Sequence, residues 1–232
     1  MLDAQIMLAA ACRRLHARGL LAGAEGNLSC RLPNGDLLVT ASGVDKGAID
    51  HTHVLRVHAD GTLCHEERGD ALAGDPPPRD TARRPSSELG MHLACYAARA
   101  DVQAIVHAHP PAATGFAAAG IPLPADVLPE LPVVVGPVAL VPYGRPGTPA
   151  LADAMRPFLG AHDVFLLANH GVTTVGRSIE DALLRMETVE QSARILAVAR
   201  LLGGAQSLPP AEADVLASMH PRYEDALRKK KA

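Results

Sequence analysis

A single α/β domain with a mixed sheet is the fold predicted for this 232-residue chain, and three observations predict it. Short β-branched runs alternate with segments of helical period, the mark of strands interleaved with helices. Pro33-Asn34-Gly35 separates two short apolar segments, as a hairpin turn does, so some neighbouring strands run antiparallel. A hydrophobic content of 48% is enough to fill one sizeable core, and the whole chain, 1–232, reads as one domain.

In chain order, Leu2, Ile6, Ala9, Ala10, Cys12 and Leu15 fall near a 3.6 period and Gly19 offers a stop, which predicts a helix over 3–18. Asn27 to Arg31 and Asp36 to Thr40 form the two arms of the hairpin, and Val54 to His58 reads as a further strand ended by Asp60-Gly61. Glu66 to Pro85 is rich in charge, Gly and Pro and reads as a long exposed loop. Ser86 and Ser87 then offer an N-cap to an apolar-periodic helix through Leu89, Leu93, Ala94 and Ala97, ending near Arg99. Strands are expected at Val102 to His107, Val133 to Val135, Val164 to Ala168 and Val172 to Val175. Ser178 opens a long helix to about Leu202, stopped by Gly203-Gly204, and 211–228 reads as a last helix.

The formal charge of −3 gives no sign of broad electrostatic attraction to nucleic acid or to an anionic membrane, so a small molecule is the default partner. Lys229-Lys230-Lys231 reads as a solvated tail. Cys12, Cys30, Cys64 and Cys95 show no CxxC spacing and read as reduced thiols, with Cys12 and Cys95 inside apolar helical patterns. The first fifteen residues lack the long apolar centre of a signal peptide. No apolar run approaches the roughly twenty residues of a membrane span, and a cytoplasmic protein is expected.

His107 and His109 stand two residues apart at the end of a strand pattern, which projects both imidazoles to one side. Asn169-His170-Gly171 closes another apolar strand, with Gly171 read as freeing the turn. Three neutral imidazoles leave a fourth position open, the arrangement of a catalytic rather than a structural zinc, which polarises a carbonyl. Taken singly, these histidines fit loop hydrogen bonding as well. His51, His53, His58 and His162 lack converging partners in the sequence, and His92, one helical turn after Glu88, reads as a packed helix residue.

Ser86-Ser87-Glu88 puts two hydroxyls and free backbone donors at a helix N-terminus, a favourable place for a phosphate. Asn27, Thr40, Ser42 and Gly43 add donors and close backbone approach, although TASG is also an ordinary turn and SSE an ordinary cap. Glu88 is the candidate general base, the alternative being simple compensation of the helix dipole. Glu130, in a proline-framed apolar segment, is a second candidate acid/base or else an exposed loop residue.

GNLS at Gly26–Ser29, TASG at Thr40–Gly43, PSSE at Pro85–Glu88, HAHP at His107–Pro110 and NHG at Asn169–Gly171 occur in the order found in class II aldolases of the aldolase/adducin superfamily, which the chain resembles over nearly its whole length. That resemblance implies a three-layer αβα sandwich with a largely antiparallel mixed sheet, a homotetramer and a phosphorylated ketose as substrate. It implies Zn²⁺ on His107, His109 and His170, substrate phosphate on Asn27, Thr40, Ser42, Gly43, Ser86 and Ser87, and acid/base roles for Glu88 and Glu130. The expected activity is retro-aldol cleavage of a ketose 1-phosphate, L-fuculose 1-phosphate or a 5-deoxypentulose 1-phosphate analogue, to dihydroxyacetone phosphate and an aldehyde.

Two features depart from the fuculose-type pattern: no tyrosine stands near Leu128, where Glu130 instead resembles the dehydratase branch, and Tyr223 matches a C-terminal family tyrosine only weakly. Dehydration of methylthioribulose 1-phosphate, 4-epimerisation and decarboxylation are therefore the alternatives within the superfamily. An adducin-like interaction module is the alternative outside catalysis, and retention of the three histidines with Glu88 speaks against it.

Overall fold

A computed structural model describes residues 1–64 and 84–220. The interior of the predicted 66–85 loop, Tyr223, the tail lysines and the end of the predicted last helix lie outside the described residues.

Along the chain run α1 (Leu2–Ala17), β1 (Asn27–Arg31), β2 (Leu37–Thr40), β3 (Val54–Val57), α2 (Leu89–Ala98), β4 (Ala104–Ala108), α3 (Pro111–Ala118), β5 (Val138–Val141), α4 (Pro149–Met155), β6 (Val164–Leu167), β7 (Gly171–Gly176), α5 (Ile179–Leu201) and α6 (Pro210–Ser218). The seven strands form one sheet in the order β3-β2-β1-β4-β7-β6-β5. Every pairing is antiparallel except β5 with β6.

Alternation along the strands divides the core in two. Leu28, Leu38, Val106, Leu166 and Val172 face one side, with Leu8, Leu15, Phe116, Met186 and Val189 from α1, α3 and α5. Leu37, Val39, Ile105, Phe165 and Val175 face the other, with Met91, Cys95, Leu151 and Met155 from α2 and α4. Helices on both sides of a largely antiparallel mixed sheet make the three-layer αβα sandwich expected from the resemblance.

Several local expectations are corrected. Val133 to Val135 is no strand: Leu131–Val135 is a π-helical turn that ends at Gly136 with φ 71°, and the strand follows at Val138–Val141. Two helices, α3 and α4, went unread because each begins with Pro, which breaks a helix internally but fits its first turn. Neither Ser86 nor Ser87 is the N-cap of α2; that position is held by Glu88, and the Ser86 hydroxyl accepts the Glu88 amide at 3.2 Å. Ser178 does cap α5, accepting the Asp181 amide. The helix predicted over 211–228 is observed as Pro210–Ser218.

Candidate active site

β1, β4 and β7 place Asn27, His107 and Thr173 side by side on one rung of the sheet. Since Leu28 and Val106 point into the α1 side, these three point to the α2 side. His109 follows two residues on, just before Pro110 turns the chain into α3. The tight β6–β7 connection brings His170 alongside, with Asn169 in the left-handed region at φ 56°. Gly171 does not supply the turn's unusual torsion. It is small because a Cβ there would lie 2.7 Å from the Ala108 carbonyl and collide with the His109 ring. Gly26, at φ 68°, likewise allows the β1 entry to pass the His107 carbonyl, which a Cβ would meet at 2.6 Å.

The three rings lie with centroids 4.7 to 5.2 Å apart, and one ligand atom from each lies within 4.8 Å of the others. His107 Nδ1 stands 3.0 Å from the Val172 carbonyl oxygen, which can only accept, so this nitrogen carries the proton. His109 Nδ1 stands 3.2 Å from a Glu25 carboxylate oxygen, and the same assignment follows. In the neutral rings both Nε2 atoms then present lone pairs, and they face each other at 3.2 Å. Burial, reinforced by the repulsion that a protonated His107 would exert, holds His109 below the ordinary imidazole value and so favours its neutral form.

Lone pairs gathered around one point call for a cation. Two zinc–nitrogen bonds of about 2.05 Å at a tetrahedral angle separate the nitrogens by about 3.3 Å, close to the spacing seen here. The donor set therefore fits a metal ion.

Glu88 enters from the start of α2. Its Oε1 lies 2.9 Å from His170 Nε2 and its Oε2 lies 3.2 Å from His107 Nε2. Asn27 Nδ2 donates to the same Oε2 at 2.8 Å. Burial raises the Glu88 pKa, but His107 and His170, where they also carry a proton on Nε2, outweigh it and hold the carboxyl below the ordinary range. Among the described residues, His170 Nδ1 and Asn27 Oδ1 are buried without a hydrogen-bond partner.

The remaining predicted residues divide into two groups. Thr40 is fully buried, and its hydroxyl accepts the Leu28 amide at 3.1 Å, which holds β1 against β2. Ser42 donates its amide to the Arg84 carbonyl at 2.8 Å, which brings the Ser42-Gly43 turn beside Ser86 and Ser87. Ser87 and Glu88 line a cleft of about 280 Å³ with Gly147, Thr148 and Arg156. Glu130, by contrast, is exposed at the start of the π-helical turn rather than buried.

Three supporting residues escaped the sequence reading. Glu25 and Thr173 face the Nδ1 atoms of His109 and His107. Lys46 is 1% exposed, and its ammonium donates to the Ala24 and Val44 carbonyls at 3.1 and 2.9 Å, pinning the turn before Gly26. An acidic loop residue or a lysine after TASG carries no signal of its own; only the fold shows what it touches. His92, one turn along α2 from Glu88, instead bonds Ser29 Oγ at 2.6 Å, and Ser29 in turn meets the Tyr96 hydroxyl at 2.8 Å.

A seven-stranded αβα sandwich with three convergent imidazoles and a buried carboxylate gathered beside the Asn27–His107–Thr173 rung makes a candidate metal-binding enzyme site. Residues 7–197 match the family described as Class II Aldolase and Adducin N-terminal domain, and the chain belongs to that family. The chain is 35% identical over 183 residues to a 3-oxo-tetronate 4-phosphate decarboxylase of Escherichia coli strain K12, covering 77% of this chain and 79% of that one. It is 32% identical over 213 residues to a 5-deoxy-D-ribulose 1-phosphate aldolase of Bacillus thuringiensis serovar kurstaki, covering 91% and 92%. Its fold superposes with TM-score 0.80 on YgbL, a putative aldolase/epimerase/decarboxylase from Escherichia coli, at 28% identity, covering 93% and 98% of the two chains.

Proposed function

We propose that the protein catalyses zinc-dependent retro-aldol cleavage of a ketose 1-phosphate, a 5-deoxypentulose 1-phosphate or L-fuculose 1-phosphate, to dihydroxyacetone phosphate and an aldehyde. The observation that carries this reading is the position of the Glu88 carboxylate within 3.2 Å of both His107 Nε2 and His170 Nε2, where a proton can be exchanged beside the metal-ligand set. His107, His109 and His170 would hold the zinc, which when bound supplies a Lewis acid for the substrate carbonyl.

Ser42, Gly43, Ser86 and Ser87 are proposed to receive the phosphate at the N-terminal end of α2, with Thr40 and Asn27 shaping that pocket from below. Glu88 removes the proton from the carbon next to the carbonyl in the condensation direction and returns it in the cleavage direction, oriented by Asn27. Glu130 is the proposed acceptor of the hydroxyl proton on the aldehyde side. Cleavage is favoured by the breadth of the match to the deoxyribulose phosphate aldolase, which spans 91% of this chain. A cytoplasmic homotetramer is the proposed working form. Support for assembly comes from α5, whose end leaves Val198, Leu201 and Leu202 exposed.

Decarboxylation of a 3-oxo acid phosphate is the second reading, favoured by the 35% identity to the decarboxylase. Counting atoms, loss of carbon dioxide from a 3-oxo-tetronate 4-phosphate also leaves dihydroxyacetone phosphate, so the two activities share one product. Only the co-product separates them. The deciding assay follows dihydroxyacetone phosphate, aldehyde and carbon dioxide from a panel of ketose 1-phosphates and from 3-oxo-tetronate 4-phosphate, with chelator-treated protein as control. Chelator-sensitive aldehyde release supports the aldolase; carbon dioxide from the oxo acid alone assigns the decarboxylase, and no product from any substrate removes both.

A further inference from the structure

On the opposite face of the sheet, at its β3 edge, Asp36, His58 and Cys64 bring a carboxylate, an imidazole and a thiol together, all within 4.8 Å by ligand atom. His58 has the converging partners that its sequence neighbourhood does not show. We propose that this cluster is a second binding site for a thiophilic divalent cation, Zn²⁺ by preference, distinct from the histidine triad.

The backbone builds the cluster. Leu37 pairs with Val57, so Asp36 and His58 come opposite each other at the end of the β2–β3 ladder. After His58 the chain turns through Asp60 and Gly61, the latter at φ 88°, and returns along β3. The His58 amide donates to the Thr62 carbonyl at 2.8 Å and the Cys64 amide to the Arg56 carbonyl at 3.0 Å. By strand alternation Asp36, Arg56, His58 and Cys64 all point to the same face, away from Leu37 and Val57.

Both the carboxylate and the thiol approach one atom of the imidazole. Asp36 Oδ1 lies 3.1 Å and Cys64 Sγ 3.4 Å from His58 Nδ1. Around a tetrahedral zinc, nitrogen and oxygen ligands sit about 3.4 Å apart, and nitrogen and sulfur about 3.6 Å apart. The two edges that meet at His58 Nδ1 thus need to open by only a few tenths of an ångström. Asp36 is held for the purpose: Asn34 Nδ2 donates to its Oδ2 at 2.7 Å and Arg56 Nε at 2.8 Å, which leaves Oδ1 toward His58. Arg56 also offsets part of the negative charge, so the site suits a cation that gains from covalent sulfur bonding rather than charge alone. Cys64 and Arg56 border a cleft of about 470 Å³ with Gln5 and His51, which gives access from solvent. On binding, the Cys64 thiol releases its proton to solvent and the thiolate takes the metal; no redox change is involved.

Cobalt titration of the chelator-stripped full chain tests this, because only a sulfur ligand gives a thiolate-to-cobalt charge-transfer band in the near ultraviolet. The expected result is two equivalents of Co²⁺ bound, one accompanied by that band. Cys64→Ser and His58→Gln should each abolish the band and weaken the second equivalent by about tenfold or more, with lyase activity unchanged. Absence of the band from the wild-type titration, or its survival in either variant, overturns the proposal.

Discussion

His107 and His109 meet through their Nε2 atoms at 3.2 Å, while the opposite nitrogen of each ring is committed to an oxygen acceptor. Removing either ring leaves a metal with two imidazoles, whereas changing Glu88 leaves all three. His109→Ala should therefore lose both bound metal and turnover. Glu88→Gln should keep the metal and lose turnover by about 10²-fold or more, the usual worth of a positioned acid/base. Metal analysis alongside steady-state kinetics checks the pair, and wild-type turnover in Glu88→Gln would take Glu88 out of the chemistry.

Glu25 holds His109 in the tautomer that offers Nε2 to a metal. Glu25→Ala should weaken metal binding by about 10- to 100-fold, and Glu25→Gln, which retains an acceptor oxygen, by less. Competition with a chromogenic chelator measures both, separately from activity. Equal affinities in the wild type and in Glu25→Ala would reduce Glu25 to a loop residue.

Gly171 is expected to tolerate no side chain. An added Cβ meets the Ala108 carbonyl and the His109 ring, so Gly171→Ala should destabilise the fold by about 1–3 kcal/mol and displace His109. Denaturant unfolding gives the first effect and metal affinity the second. An unchanged midpoint would mean that β7 shifts without cost.

His92 predicts a pH dependence. Burial pushes its pKa down to about 3, so it stays neutral in the fold but takes up a proton at ordinary values when unfolded. The contribution is thus fully present above about pH 6.5 and is lost as pH falls toward 3, at up to about 1.4 kcal/mol per pH unit. Between pH 6.5 and 5 the wild type should lose up to about 2 kcal/mol more than His92→Gln. Parallel stability curves for the two proteins would refute the burial argument.

The sheet and the convergence of the three histidines were legible because each rests on local pattern. The β-branched runs at Val102 to His107 and Val172 to Val175 and the Pro33-Asn34-Gly35 turn mark strands, and the His-x-His spacing marks one side of a strand end. The valines at 133–135 misled because β-branched residues suit any buried backbone, and Pro132 together with Gly136 turns that segment into a π-helical turn. What stayed hidden was long-range: Lys46 reaching back to Ala24, Glu25 meeting His109 across 84 positions, and Asp36 facing His58. Such partners depend on strand register, and no local pattern encodes it.

The shared rung of Asn27, His107 and Thr173 also bears on folding. A slip of β4 by one residue would turn His107 into the α1-side core and swing Ala108 into the site. A misregistered chain could not assemble the three imidazoles, so an ion bound by them stabilises only correctly paired molecules, by an amount that rises with its free concentration. On the proposed metal-binding role of the triad, metal supply is a check on strand pairing, and metal-starved expression should enrich the mispaired chains.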